Sequence, residues 1–192
     1  GMGIVLRSMC SGARLTVHDR FEPDAVRAAL AADGVSHVSL VPTQLQRLLD
    51  SPSAETLAVL RRFNAILLGG GPASPGLLAA ARDAGARVIT TYGSAETCGG
   101  CVYDGFPLED VLARVDGDGR ILLGGATLAA GYLGDPGLTA GAFLEEDGVR
   151  WYRTSDTISS STFTPEVLSR CIVSCSRTRF CASPRLRDSR SV

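Results

Sequence analysis

Three short segments hold residue types that can act on one ligand. Thr91-Tyr92-Gly93-Ser94-Ala95-Glu96-Thr97 supplies an aromatic face, a glycine, two hydroxyls beside a carboxylate, and a polar rim. The face of Tyr92 suits an adenine ring, and Gly93 lets backbone approach a ligand closely. A tyrosine in that place also serves as core or rim. Twenty positions before Thr91 stands Gly71, the last of Gly69-Gly70-Gly71, followed by Pro72. Such a loop leaves amides and carbonyls free to meet a ligand, though a glycine run alone can be no more than a tight turn. The third segment, Tyr152-Arg153-Thr154-Ser155-Asp156, reads as a polar turn ending in a carboxylate able to accept both hydroxyls of a ribose. Glu96, between Ser94 and Thr97, suits Mg²⁺, which takes one or two carboxylates with phosphate oxygens and water. A glutamate at a helix N-terminus would instead complement the helix dipole. Together the three segments read as a nucleotide site assembled from strand ends.

Other candidates carry less. Cys98-Gly-Gly-Cys101 is a single CxxC pair with no second pair and no nearby histidine, two ligands short of tetrahedral zinc. His18 and His37 read as structural. Asp116-Gly-Asp-Gly119 starts like a calcium loop but lacks the later ligands, so it reads as a hairpin turn.

The elements that must position these residues follow from the spacing. Ile4-Val5-Leu6 and Ala13–Val17 suggest a short helix and a strand. Pro23 at a first helical position and Gly34 as a stop bracket a helix. Val35–Val41 is strand-like up to Pro42, and Thr43 can cap a helix bearing Leu45, Leu48 and Leu49 on one face. A further helix is expected over 52–62, a short buried strand over Asn64–Leu68, a helix from Pro75 to Asp83, and a strand over Ala86–Thr91. This alternation predicts an α/β fold with a parallel-type sheet flanked by helices, in which ligands lie beyond the C-terminal strand ends. The first unit is assigned to residues 1–103. After Tyr103 the pattern turns β-rich: Val111–Val115 and Arg120–Leu123 form a hairpin, and Thr127–Tyr132 is expected as another strand. A small β-rich subdomain is therefore assigned to 104–156. Residues 157–192 form an atypical tail with nine serines, six arginines, three cysteines and no glycine. It reads either as an out-of-frame stretch of a GC-rich gene or as a divergent, disordered tail.

Composition sets limits. With 192 residues, 45% apolar and 20% charged, the chain is an ordinary globular one, and its net charge of -1 gives no reason to expect nucleic acid or an anionic membrane as partner. No apolar run reaches the length of a spanning helix, and the first residues are too few for a signal peptide. A cytoplasmic location and six cysteines present as thiols are expected. One fact is sharper: all nineteen basic residues are arginine, and there is no lysine.

The combination of the Gly69–Pro72 loop, the Thr91–Thr97 turn and the Thr154-Ser155-Asp156 segment resembles the adenylate-forming superfamily, the acyl-CoA ligases and their relatives. The run from Thr91 to Tyr103, with Cys98-Gly-Gly-Cys101-Val-Tyr, is most similar to the o-succinylbenzoate–CoA ligase branch of menaquinone biosynthesis. The likeness extends over about residues 2–156, including Gly131-Tyr132, Thr139, Phe143 and Trp151. It implies that Glu96 holds Mg²⁺ and Thr97 meets the polyphosphate. It also implies that Gly70, Gly71, Pro72, Thr91, Tyr92 and Gly93 surround the nucleotide, with Asp156 on its ribose. The acyl pocket would be lined by Val41, Pro42, Thr43, Gly69 and Ser94. Structurally, Pro42 ending a strand and Thr43 capping a helix would account for that junction equally well. The family has Thr-Gly-Asp where this chain has Thr154-Ser155-Asp156, which matters if the position needs a positive φ.

In that family ATP and Mg²⁺ activate a carboxylate as an acyl-AMP, and coenzyme A then takes the acyl group. A lysine in a phosphate loop and another in a C-terminal domain serve the reaction, and neither can come from this sequence. Two kinds of function follow. One is a truncated o-succinylbenzoate–CoA ligase, inactive by itself, with no residue assigned as catalytic. The other is a non-catalytic module that binds nucleotide or acyl-adenylate, or that self-associates through surface left bare. A ligase for another aryl or acyl acid, or one completed by a second chain, would carry the same motifs.

Overall fold

The computed structural model describes residues 2–50 and 54–157. The tail assigned to 157–192 lies outside the described residues except for Thr157, as do positions 51–53. Six helices, nine strands and one short 3-10 turn are described: α1 (Met2–Ser11), α2 (Pro23–Asp33), β1 (His37–Leu40), α3 (Pro42–Leu49), α4 (Ala54–Arg62), β2 (Ala65–Leu68), α5 (Pro75–Asp83), β3 (Val88–Ser94), the turn Ala95–Thr97, β4 (Gly99–Tyr103), β5 (Phe106–Pro107), β6 (Val111–Val115), β7 (Arg120–Gly125), α6 (Pro136–Ala142), β8 (Phe143–Glu146) and β9 (Val149–Thr157).

The chain is α/β, with a five-stranded sheet in the order β1-β2-β3-β4-β5 and a four-stranded sheet in the order β6-β7-β9-β8. The expected parallel arrangement holds for β1, β2 and β3. It gives way at β3, which pairs antiparallel with β4, as β4 does with β5, so the first sheet is mixed. The reversal follows from the link: only four residues, 95–98, join β3 to β4, enough for a hairpin and far too few for a parallel crossover.

Apolar spacing on the helices builds the first core. Leu45 and Leu48 of α3 are buried against Val59, Leu60 and Phe63 from the α4 region, Ile66 and Leu68 of β2, and Leu77 and Ala81 of α5. Each fully buried leucine contributes about 1.5–3 kcal/mol relative to exposure. A second core joins the two sheets: Cys101 and Val102 of β4 pack with Val111 and Ala113 of β6 and Ile121 and Leu123 of β7, with Tyr92 against them.

Four expectations are corrected. Residues 13–17 form no strand; the Ala13 amide closes α1 on the Ser8 carbonyl, and Val17 is exposed, with no strand among the described residues pairing with it. Thr43 does not cap α3. Pro42 takes the first helical position, and the Gln44 side chain reaches back to accept from the Val41 amide at 3.0 Å. Thr127–Tyr132 is a loop rather than a strand, because its backbone is bonded to other elements: the Ala129 amide donates to the Glu96 carbonyl and the Tyr132 amide to Thr139 Oγ1. Finally, Tyr152–Asp156 is no turn but part of β9, with Tyr152 paired to both β7 and β8 and Arg153 to β7.

Candidate nucleotide site

Because β1, β2 and β3 run parallel, their C-terminal ends bring Val41, the Gly69 loop and the Thr91–Ser94 segment to one edge. Local contacts fix them there. Thr91 Oγ1 donates to the Leu68 carbonyl at 3.3 Å, and a Cβ on Gly69 would lie only 2.2 Å from that same Oγ1. Glycine is needed here for close approach of the loop to β3. A Cβ on Gly70 would meet Val41 Cγ1 at 3.2 Å, so Val41, expected in the acyl pocket, adjoins Gly70, expected at the nucleotide. Val41, Thr43 and Gly70–Pro72 are solvent-exposed, Pro42 and Gly69 half-buried. Gly93 has φ +156°, and a Cβ there would stand 2.0 Å from the Gly99 carbonyl oxygen, which no side chain tolerates.

Tyr92 donates from its hydroxyl to Asp156 Oδ2 at 2.8 Å, joining residues 64 positions apart. Burial pushes the Tyr92 phenol well above its ordinary value; Thr154 opposes this and the Asp156 contact adds to it. Tyr92 and Asp156 thus stand side by side, as an adenine platform and a ribose acceptor would. Ser155 lies extended in β9 and is not among the positive-φ residues, so serine carries no backbone strain at the position where the family has glycine.

Glu96 sits in the three-residue turn between β3 and β4. Thr97 braces that turn: its buried hydroxyl accepts from the Ser94 amide at 2.9 Å and lies 2.9 Å from the Gly99 carbonyl. The Thr97 hydroxyl therefore points into the turn. The hydrogen bond donated by Tyr132, at 2.6 Å to Glu96 Oε1, holds the Glu96 carboxyl below the usual carboxylate range, against an opposing effect of burial. The same contact, with burial added, pushes the Tyr132 phenol far up. Burial raises the Tyr152 phenol, and the Glu96 charge adds to that. Glu96 is consequently an anion at neutral pH. Among the described residues no three His, Cys, Asp or Glu side chains gather to hold a metal. One fixed carboxylate fits a divalent cation that arrives with phosphate oxygens, and does not fit a resident, fully protein-ligated ion.

The sequence missed Tyr132 as a partner of Glu96. The two are 36 residues apart, and nothing in local spacing signals the contact. Arg150, which grips the carbonyls of Ala129 and Ala130 at 2.7 and 2.8 Å, was equally invisible. In the CxxC segment, Cys98 is exposed while Cys101 is fully buried, its thiol raised by that burial. A concavity of about 640 Å³ beside Tyr132, Pro136, Phe143 and Arg150 is lined by none of Gly70, Tyr92, Glu96 or Asp156, so the strand-end site is an open edge rather than that cavity.

Comparison with known proteins finds relatives of this chain and of its fold. A family model described as "AMP-binding enzyme" matches residues 1–129. The chain is 40% identical over 163 residues to a probable 2-succinylbenzoate–CoA ligase of Mycobacterium tuberculosis, covering 81% of this chain and 40% of that protein. O-succinylbenzoate coenzyme A synthetase from Bacillus subtilis superposes with a TM-score of 0.68 in complex with ATP and magnesium ion, at 25% identity, over 81% of this chain and 36% of that one. The same enzyme with its acyl-adenylate intermediate gives 0.70, at 25% identity, over 81% and 35%. The chain thus spans about 40% or less of the length of these relatives.

Proposed function

The chain belongs to the AMP-binding enzyme family, and on that premise we propose that it is the adenylate-recognising part of an o-succinylbenzoate–CoA ligase. Tyr92 and Gly93, with the Gly70–Pro72 loop and Thr91, would receive the adenine, and Asp156 the ribose. Glu96 would hold Mg²⁺ against the phosphates, while Thr97, expected to meet them, instead braces the turn from within. The aryl acid would lie toward Val41, Pro42, Thr43, Gly69 and Ser94. When bound, Mg²⁺ offsets phosphate charge, while the protein groups orient the adenylate. The observation that carries this reading is the 2.8 Å contact between Tyr92 and Asp156, which joins the two most informative nucleotide motifs across 64 residues.

In the complete reaction, coenzyme A accepts the acyl group from the adenylate. With no lysine in its 192 residues, this chain alone is expected to bind rather than to turn over. A cytoplasmic setting accords with a chain in which, among the described residues, no helix is long and apolar enough to cross a membrane. A second reading, a self-associating module, is favoured by Phe106 and Leu108, 59% and 46% exposed at and just beyond the edge strand β5.

Calorimetric titration with a non-hydrolysable o-succinylbenzoyl-adenylate analogue tests the proposal. Saturable binding is expected, weakened roughly 5- to 150-fold by Tyr92→Ala if the ring stacks on adenine at about 1–3 kcal/mol. No heat from a demonstrably folded chain would sink the reading. Light scattering that shows a dimer without ligand affinity would favour the second one.

A further inference from the structure

The loop over residues 126–134 is tied to Glu96 twice. The Ala129 amide donates to the Glu96 carbonyl at 2.7 Å, and the Tyr132 hydroxyl donates to Glu96 Oε1 at 2.6 Å. The loop is fastened from behind as well. The Tyr132 amide donates to Thr139 Oγ1 at 2.9 Å, and that hydroxyl donates to the Asp135 carbonyl at 2.8 Å. From β9, Arg150 spreads its guanidinium over two successive carbonyls, Ala129 and Ala130, while lying 4.3 Å above the Phe143 ring. A planar fork is well suited to fixing two acceptors at once.

A glutamate on a three-residue turn, half-exposed, would otherwise sample several rotamers and pay for ordering when it met a cation. Here one carboxylate oxygen is already held by a neutral donor, and the backbone beneath it is pinned. We propose that Tyr132 is the positioning residue for the Glu96 carboxylate, and that Arg150 acts behind it by holding the loop that carries Tyr132. This rests on the reading of Glu96 as the group that faces the nucleotide's divalent cation. Preorganisation by such an outer partner is the usual way a ligand side chain is made effective.

The test uses the full chain and its variants Tyr132→Phe, Glu96→Gln and the double variant, with ATP as the probe. Affinity is measured by calorimetry in EDTA and across a Mg²⁺ series, and amide exchange over residues 94–99 is read alongside. Tyr132→Phe is expected to lower the Mg²⁺ affinity of the ATP-bound chain by about tenfold or more, to leave ATP affinity in EDTA unchanged, and to speed exchange in the turn. Added to Glu96→Gln it should change nothing further. Arg150→Met should act in the same direction, and Arg150→Lys should recover part of the loss. A wild-type chain whose ATP binding gains from Mg²⁺, with Tyr132→Phe gaining equally, would overturn this inference and spare the reading of Glu96. A wild-type chain with no Mg²⁺-dependent gain would overturn both.

Discussion

Glu96 and Gly93 show how much a single residue decides at this edge. Gly93 combines a positive φ with a carbonyl 2.0 Å from where a Cβ would stand, so Gly93→Ala is expected to cost about 1–3 kcal/mol in chemical denaturation. Gly71, in the neighbouring loop, has nothing within 4 Å of its missing Cβ, and Gly71→Ala should stay within about 0.5 kcal/mol. An equal cost for the two would mean that the close approach of β3 and β4 is not as described. The sequence singled out Gly93 for close approach to a ligand, because Thr91–Thr97 is contiguous and its residue types declare their uses, but the approach of the Gly99 carbonyl was not legible. What could not be read was the partner of Glu96. Tyr132 belongs to a stretch with no periodicity, and a hydrogen bond spanning 36 positions leaves no local trace.

At the scale of elements, the helices and buried strands were legible where apolar spacing met a clear stop, as in α2 with Pro23 at its start and Gly34 in the left-handed conformation at its end. Strand β4 was not legible. Gly99 and Gly100 lower its β propensity, yet pairing with β3 overrode this. Strand β9 was mistaken for a turn because Arg153, Ser155 and Asp156 are exposed and polar, while the strand's buried partners, Trp151, Tyr152 and Thr154, interleave with them. Capping is testable here. Ser74 Oγ accepts from the Leu77 amide at 3.1 Å, so Ser74→Ala should cost about 1 kcal/mol, read as a lower denaturation midpoint. The hairpin between β6 and β7 gives a pH prediction. Asp116 accepts from the amides of Arg120 and Asp118 at 2.9 and 3.0 Å, and the Arg120 amide contributes most to holding its carboxyl below the ordinary value of 3.8. Its stabilising contribution is therefore complete above that value and is lost as pH falls through the lower folded one. The stability gap between wild type and Asp116→Ala should stay level from neutral pH into mild acid and then close. A gap that widens in acid would contradict the sign.

For the whole molecule, the second core matters most, since it couples the strand that bears Tyr92 to the sheet that bears Asp156. Leu123→Ala should cost about 2–5 kcal/mol and should speed hydrogen exchange in β4 as well as in β6 and β7, leaving protection around Leu45, Leu60 and Ile66 largely intact. Exchange confined to β7 would show that the two sheets hold together by other means. The hairpin that carries Glu96 lies between these bodies and has no slack. Ser94 pairs with Gly99 and Gly93 with Gly100, yet Tyr92 pairs with Val102, so Cys101 is already an extra residue absorbed as a bulge. Adding or deleting one residue between Ser94 and Val102 would slide β4 by one place and exchange the faces of Cys101 and Val102, both now buried. Sequence drift in this segment is thus freer to alter its side chains than their number, and an insertion or deletion here would disable the second core before it touched the carboxylate.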